Sequence, residues 1–202
     1  MIKTISLSLI VLSLILISCQ NKKAPIAQIS EEKAHDEQME KIIELYNSGQ
    51  YDEFIKLAEI ELNKSENDFG FFLALSDAYG NLGKYDKAFY YAEKLLEKEP
   101  SNYYALFALG NCHYLLEKLD SAEFYYNKVL EIRPTYARAN LNLAHIYEKQ
   151  NKKDEAVEQY LKAIELFKAN NFEEEVIQYS KQVLSLDPNN KIAKENLGPP
   201  YF

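Results

Sequence analysis

Two stretches of this chain repeat one another at a spacing of 34 residues. The segment GKYDKAFYYAEKLLEKEP ends at Pro100, and the segment LEKLDSAEFYYNKVLEIRP ends at Pro134. Hydrophobic residues recur at helical intervals within each segment, which predicts an amphipathic helix. Because a single helix pair cannot bury both of its faces, such copies are expected to stack and share one core. An aspartate recurs in the same register at Asp52, Asp86, Asp120 and Asp154.

The recurring positions resemble the tetratricopeptide repeat (TPR), a helix–turn–helix unit of 34 residues. The best match carries Leu106, Leu109, Gly110, Ala122, Tyr126 and Pro134. The unit before it carries Tyr79, Gly83, Tyr85, Ala88 and Pro100, and the unit after it carries Leu143, Tyr147, Ala156, Tyr160 and Ala163. The resemblance covers about residues 35–170. It implies an all-α fold, a right-handed TPR-type α-solenoid of antiparallel helix pairs.

The repeat predicts a solenoid over residues 35–198. Its units are expected at about 35–68, 69–102, 103–136 and 137–170. Pro188 lies 54 residues after Pro134, so we expect the helix over 154–169 to close the fourth unit and to open a partial fifth unit over 154–188. A terminal helix over 189–198 and a tail over 199–202 follow, and the sequence GPPYF does not continue the helix.

Local signals refine the ends of the helices. Each recurring aspartate is expected just before a second helix, where its carboxylate would act as the N-cap. Asp120, with Glu123 three residues later, resembles a capping box. Pro100, Pro134 and Pro188 are expected to end second helices, since the residue before a proline is biased away from helix.

The first residues resemble a bacterial lipoprotein signal peptide. An apolar run from Ile5 to Ile17 follows Lys3 and is shorter than the roughly 20 residues that span a bilayer. It ends at Leu16-Ile17-Ser18-Cys19, which is similar to a lipobox. The resemblance implies cleavage after residue 18, a lipid on Cys19 and a polar tether over 19–34. An ordinary signal peptide or an uncleaved anchor is the alternative.

Composition and motifs disfavour several function classes. The formal net charge is −8, which makes a nucleic-acid partner unfavourable. The chain has two cysteines, and we interpret Cys112, in an apolar run, as a packed residue. His35, His113 and His145 lack the spacing of metal ligands, and His113 is interpreted as core. No metal, no cofactor and no enzymatic activity is therefore predicted.

In the TPR family, the first helices line a concave groove. Carried over to this sequence, the third and fourth units place aromatic and polar residues in it. Exposed aromatics beside an arginine are typical of a binding hot spot. The alternative, weighed equally, is that the aromatics only pack the solenoid. The predicted partner-binding residues are Tyr104, Phe107, Asn111, Tyr114, Arg138, Leu141, Asn142 and His145.

These features together predict a membrane-anchored TPR lipoprotein that acts as an adaptor or scaffold for another envelope protein or peptide. We expect it in the bacterial cell envelope, with the outer membrane favoured over the inner, facing the periplasm. The alternatives are a structural, self-associating spacer and, least favoured, an enzyme with an unrecognised site. The partner's identity, the oligomeric state and the role of the GPPYF tail stay open.

Overall fold

The computed structural model describes residues 36–64 and 69–199, and every regular element in these ranges is an α-helix. The all-α architecture predicted from the repeat is confirmed. Within the described ranges, none of the helices combines the length and apolar character needed to cross a bilayer. The helices are α1 (Asp36–Asn47), α2 (Tyr51–Lys64), α3 (Phe69–Asn81), α4 (Tyr85–Lys98), α5 (Tyr103–Leu115), α6 (Leu119–Ile132), α7 (Ala137–Lys149), α8 (Lys153–Ala169), α9 (Glu173–Leu186) and α10 (Lys191–Leu197).

The described residues form two compact units, one ending at Cys112 and the other beginning at His113. In the first unit, α1 to α4 each pack against the next helix. In the second unit, α6 to α10 do the same. The predicted signal peptide over 1–18 and tether over 19–34, including Cys19, lie outside the described residues, as do residues 200–202 of the predicted tail.

The turn between paired helices has a residue in the left-handed conformation. At the 34-residue spacing these are Gly49 (φ 75°), Gly83 (φ 69°), Glu117 (φ 57°) and Asn151 (φ 58°). Glycine adopts this conformation freely and asparagine tolerates it, whereas an ordinary side chain is strained by about 1 kcal/mol or more. Glu117 is therefore the residue in this series that is least suited to its backbone.

The prediction that the recurring aspartates are N-caps is wrong. Helix α6 begins at Leu119, its N-cap is Lys118, and Lys118 makes no side-chain capping bond. Asp120 is thus the second helical residue, and it acts in the first turn on the helix dipole. Glu123 does not complete a capping box, because its Oε1 accepts a 2.8 Å hydrogen bond from the Tyr147 hydroxyl. The same one-residue shift holds at Asp52, Asp86 and Asp154.

Asparagines after prolines supply two side-chain caps. Asn102 Oδ1 accepts hydrogen bonds from the backbone N–H groups of Tyr104 (3.1 Å) and Ala105 (3.0 Å) at the start of α5. Asn190 Oδ1 accepts one from Ala193 N–H (3.1 Å) at the start of α10. Both asparagines follow a proline by two positions. The cap residues of these helices are therefore found in the Pro-x-Asn sequences that separate helix pairs.

Three second helices end before a proline, as predicted. The C-cap residues Glu99, Arg133 and Asp187 stand directly before Pro100, Pro134 and Pro188 and leave the helical conformation, with ψ between 78° and 90°. Each donates its backbone N–H to a carbonyl four residues earlier, at 2.8 Å. The proline then prevents the helix from continuing, because it lacks an N–H donor.

Helix α8 packs against both α7 and α9. The α8–α9 turn has the same form as the α7–α8 turn, since Asn171 (φ 60°) adopts the conformation of Asn151. A 3.0 Å bond from Phe172 N–H to Phe167 O closes this second turn. The chain therefore passes through α8 from one tight hairpin directly into the next.

Small residues lie at the centres of the packed helices. Ala144 on α7 and Ala156 on α8 have no exposed surface, and α7 packs on α8, as expected for a close crossing. Tyr126 and Tyr160 are also fully buried. Because a buried tyrosine needs a partner for its hydroxyl, these positions combine packing with polar contacts.

Candidate partner-binding surface

The eight predicted partner-binding residues have different degrees of exposure. Tyr104 and Leu141 are buried, each with 7% of its surface exposed. Arg138 is exposed, and the other five residues are half-buried: Phe107, Asn111, Tyr114, Asn142 and His145. Tyr104, Phe107 and Asn111 belong to the first unit, and the other five belong to the second. The two sets are described separately.

In the first unit, Tyr104 belongs to the packing of α5. Its ring centroid lies 4.0 Å from that of Tyr103, and its backbone N–H is bound by the Asn102 cap. Phe107 and Asn111 follow on the same helix and are half-buried. Tyr104 is therefore a core residue, whereas Phe107 and Asn111 each have part of their surface accessible.

A polar cluster surrounds Asp77 in the same unit. The Tyr46 hydroxyl donates a 2.7 Å hydrogen bond to Asp77 Oδ2, and Asn81 Nδ2 donates another at 3.1 Å. Burial raises the pKa of Asp77, although both hydrogen bonds oppose the rise. Asp77 precedes Asn111 by one repeat period. The cluster joins α1 to α3 through side chains.

In the second unit, the predicted residues on α7 are spaced three or four positions apart. Arg138, Leu141, Asn142 and His145 thus share one side of the helix. Leu141 packs into the hydrophobic core that α7 forms with α8 and α9. The accessible part of this side is therefore polar, with Arg138, Asn142 and His145 around a buried leucine.

A hydrogen-bonded cluster lies beneath His145. The Tyr160 hydroxyl, from α8, donates a 2.7 Å hydrogen bond to Glu148 Oε2 and lies 2.8 Å from His145 Nδ1. His145 Nδ1 and Glu148 Oε2 are 3.5 Å apart. Burial, followed by the bond to Glu148, raises the pKa of Tyr160 well above its ordinary value. The hydroxyl therefore keeps its proton and remains available as a donor.

Helix α9 completes this cluster. Gln182 Nε2 donates a 2.6 Å hydrogen bond to Glu148 Oε1, so both oxygens of the carboxylate accept a bond. The ring of Tyr179 stacks on that of Tyr160, with centroids 5.9 Å apart. Burial raises the pKa of Tyr179, and the positive charge of Arg138 acts in the opposite direction. We name His145, Glu148, Tyr160 and Gln182 the α7–α9 relay.

Tyr114 lies near the other end of the same surface. Lys149 Nζ lies 4.8 Å from the centre of the Tyr114 ring and 2.6 Å from Glu117 Oε1. This arrangement combines a cation–π contact with an exposed ion pair. The half-buried Tyr114 ring is thus covered in part by a lysine stem.

The described residues give no sign of metal or nucleophilic chemistry. Among them, no three or more His, Cys, Asp or Glu residues converge in a way that could hold a metal ion. Cys112 is buried, and burial raises the pKa of its thiol to about 11. Since the thiolate is the reactive form, this thiol is inert at neutral pH. The interpretation of Cys112 as a packed residue is confirmed.

Sequence reasoning missed part of the α7–α9 relay. Glu148 stands one helical turn after His145, and Gln182 stands one repeat period after Glu148. Both spacings are visible in the sequence. The position of the Tyr160 hydroxyl between His145 and Glu148 is not, because it depends on how α8 packs against α7.

Comparison with known proteins identifies the repeat. Two family models, each described as tetratricopeptide repeat, match residues 73–137 and 137–170. Repeats of this family are typically non-catalytic scaffolds. Among curated proteins, none matches this chain.

Several solved structures are similar in fold. A thermophilic TPR protein of Thermus thermophilus, TTC0263, is 18% identical with a TM-score of 0.58, covering 81% of this chain and 97% of that one. The MamA RS-1 ArsTM double mutant is 20% identical with a TM-score of 0.64, covering 83% and 92%. A MamA AMB-1 structure is 23% identical with a TM-score of 0.57, covering 79% and 96%. At these identities the likeness shows the fold alone. From the matched repeats and this fold, the chain is a tetratricopeptide-repeat protein with an all-helical TPR-type α-solenoid fold.

Proposed function

We propose that this chain is a lipid-anchored TPR scaffold of the bacterial cell envelope that binds another envelope protein or a peptide. The observation that carries the proposal is the tetratricopeptide repeat over residues 73–170, because repeats of this kind suggest a protein-interaction scaffold. The anchor and the location rest on the sequence of the first 19 residues.

The proposed binding surface lies on α7 in the second unit. Arg138 is exposed there, and Asn142 and His145 are half-buried. An arginine beside polar and aromatic side chains is a common composition for a binding hot spot. The buried Leu141 supports this surface from below and does not contact the partner.

A crosslinking experiment tests the scaffold role. Envelopes are crosslinked, and the wild type is compared with Arg138→Glu. We expect wild type to retain a distinct partner and Arg138→Glu to retain about tenfold less, with an unchanged melting temperature. Lys162→Glu, a charge reversal at an exposed position of α8, is the control. Recovery of copies of this chain alone would favour the self-associating spacer instead.

A labelling experiment tests the anchor. Cells that express wild type, Cys19→Ser or Cys112→Ser are grown with a labelled fatty acid. Label is expected in wild type and Cys112→Ser and absent from Cys19→Ser, because Cys19 ends the apolar run. Fractionation of the labelled protein then distinguishes the favoured outer membrane from the inner. Equal labelling of all three proteins, or none in wild type, contradicts the anchor without bearing on the repeat.

A further inference from the structure

The proton of the Tyr160 hydroxyl has one destination. A phenol carries a single hydrogen, and an ionised carboxylate accepts hydrogen bonds but donates none. The Tyr160 and Glu148 oxygens are 2.7 Å apart, a separation that requires a proton between them. Since Glu148 has none to give, the Tyr160 hydroxyl donates to Glu148.

This assignment fixes the tautomer of His145. The Tyr160 oxygen is also 2.8 Å from His145 Nδ1, and this contact needs a proton of its own. With the hydroxyl proton committed to Glu148, an unprotonated Nδ1 would place its lone pair against a lone pair of Tyr160. The proton must therefore sit on Nδ1. In a neutral imidazole the other ring nitrogen, Nε2, is then an acceptor.

The buried and accessible parts of His145 are consistent with such a role. Its Nδ1 edge is held by the fully buried Tyr160, whereas 42% of the side chain remains exposed. The neighbouring Glu148 side chain is 23% exposed, and it too is an acceptor. The accessible polar atoms at this point of the surface therefore accept hydrogen bonds.

We infer that the α7–α9 relay holds His145 as the Nδ1–H tautomer, so that the bound partner segment supplies an N–H or O–H donor to Nε2. The inference rests on the proposed function for the identity of the surface. A backbone amide, a hydroxyl or an ammonium group of the partner satisfies Nε2. A partner carboxylate would face an acceptor instead and leave both groups unpaired, which is costly at a desolvated interface. Tyr160 acts here as a positioning residue for His145.

Nuclear magnetic resonance of the free protein tests the tautomer. Long-range nitrogen–proton correlations of the histidine rings are followed to alkaline pH until the shifts stop changing. We expect His145 to show a protonated Nδ1 and a bare Nε2. In Tyr160→Phe, and separately in Glu148→Gln, this preference should be lost, because Nδ1 no longer has the same obligatory acceptor. A protonated Nε2 in wild type overturns the inference, whatever the outcome with the partner.

Two opposite substitutions test the partner's chemistry, with the crosslinked envelope preparation as the probe. His145→Glu keeps an acceptor at this point, whereas His145→Lys provides a donor. We expect His145→Lys to lose about tenfold in partner retention and His145→Glu to lose much less. Asn127→Glu and Asn127→Lys, at an exposed position of α6, control for charge alone. The opposite order at His145 overturns the inference while leaving the proposed function standing.

Absence of any partner for wild type contradicts the proposed function and, with it, the claim about the partner's donor. The resonance experiment needs no partner, and it still decides whether the relay fixes His145. The two failures are therefore distinguishable.

Discussion

Gln182 on α9 donates a 2.6 Å hydrogen bond to Glu148 on α7, and the two residues are 34 positions apart. The bond thus connects the same register position in successive periods of the chain. Through Tyr160 it also involves the intervening helix, α8. Three helices are therefore joined at one carboxylate, so the relay should contribute to the stability of the second unit.

Removal of the Tyr160 hydroxyl tests that contribution. Tyr160→Phe keeps the buried ring and deletes a hydrogen bond to a charged acceptor, so we expect the free energy of unfolding to fall by about 1–2 kcal/mol. Urea denaturation measures the change. Tyr90→Phe, at a tyrosine with 53% of its surface exposed, is the control and should change stability by less than about 0.5 kcal/mol. Equal effects from both would contradict a role for the relay in stability.

The two kinds of helix start should respond differently to alanine. Asn102→Ala removes a side-chain cap that accepts two backbone bonds and should cost about 1 kcal/mol. Asp120→Ala removes only a favourable charge in the first turn and should cost about 0.3–1 kcal/mol. Thermal unfolding at low and high salt separates the two, since only the Asp120 effect should shrink with salt. A salt-independent loss at Asp120 would favour capping after all.

Glu117 offers a stabilising substitution. Its backbone has φ 57°, and the equivalent position one period later is Asn151. Glu117→Asn should raise the free energy of unfolding by about 0.5–1 kcal/mol, because asparagine tolerates this conformation better. The substitution also removes the exposed ion pair with Lys149, which contributes little. Lys149→Met isolates the loss of that pair, and a destabilised Glu117→Asn beside a neutral Lys149→Met would contradict the strain argument.

Burial of Cys112 predicts a dependence of stability on alkaline pH. Its thiol pKa is raised from 9.0 to about 11, so the folded protein holds this proton more tightly than the unfolded chain does. The contribution is complete below pH 9 and is lost as pH rises from about 9 towards 11. Wild type should lose up to about 2–3 kcal/mol more than Cys112→Ala over that interval, measured by urea denaturation. Parallel pH profiles for the two proteins would show that the thiol titrates normally.

Core and surface residues among the predicted binding set should separate on alanine substitution. Tyr104→Ala removes a buried aromatic ring and should destabilise the first unit by about 3–5 kcal/mol. Arg138→Ala truncates an exposed side chain of the second unit and should change stability by less than about 0.5 kcal/mol. Circular dichroism during thermal unfolding measures both. A stable Tyr104→Ala would return Tyr104 to the list of surface candidates.

The sequence by itself determined the features that depend on neighbours along the chain. The 34-residue spacing predicts the helices and their turns, because burying one face of a helix requires hydrophobic residues at regular intervals. Pro100, Pro134 and Pro188 determine where three helices end, since proline acts on the residue beside it. The left-handed residues at Gly49 and Gly83 follow from the same local chemistry.

Only the tertiary structure decided the features that depend on packing between helices. The helix starts lie one residue earlier than the aspartates suggest, so Asp120 is inside α6 and Asn102 is the cap of α5. The TPR pattern assigned Tyr104 and Arg138 alike to the groove, yet Tyr104 is buried and Arg138 is exposed. The Tyr160 hydroxyl reaches both His145 and Glu148 because α8 packs closely against α7. Spacing along one helix specifies which residues share a face, but the distance between two side chains on different helices is set by how those helices pack.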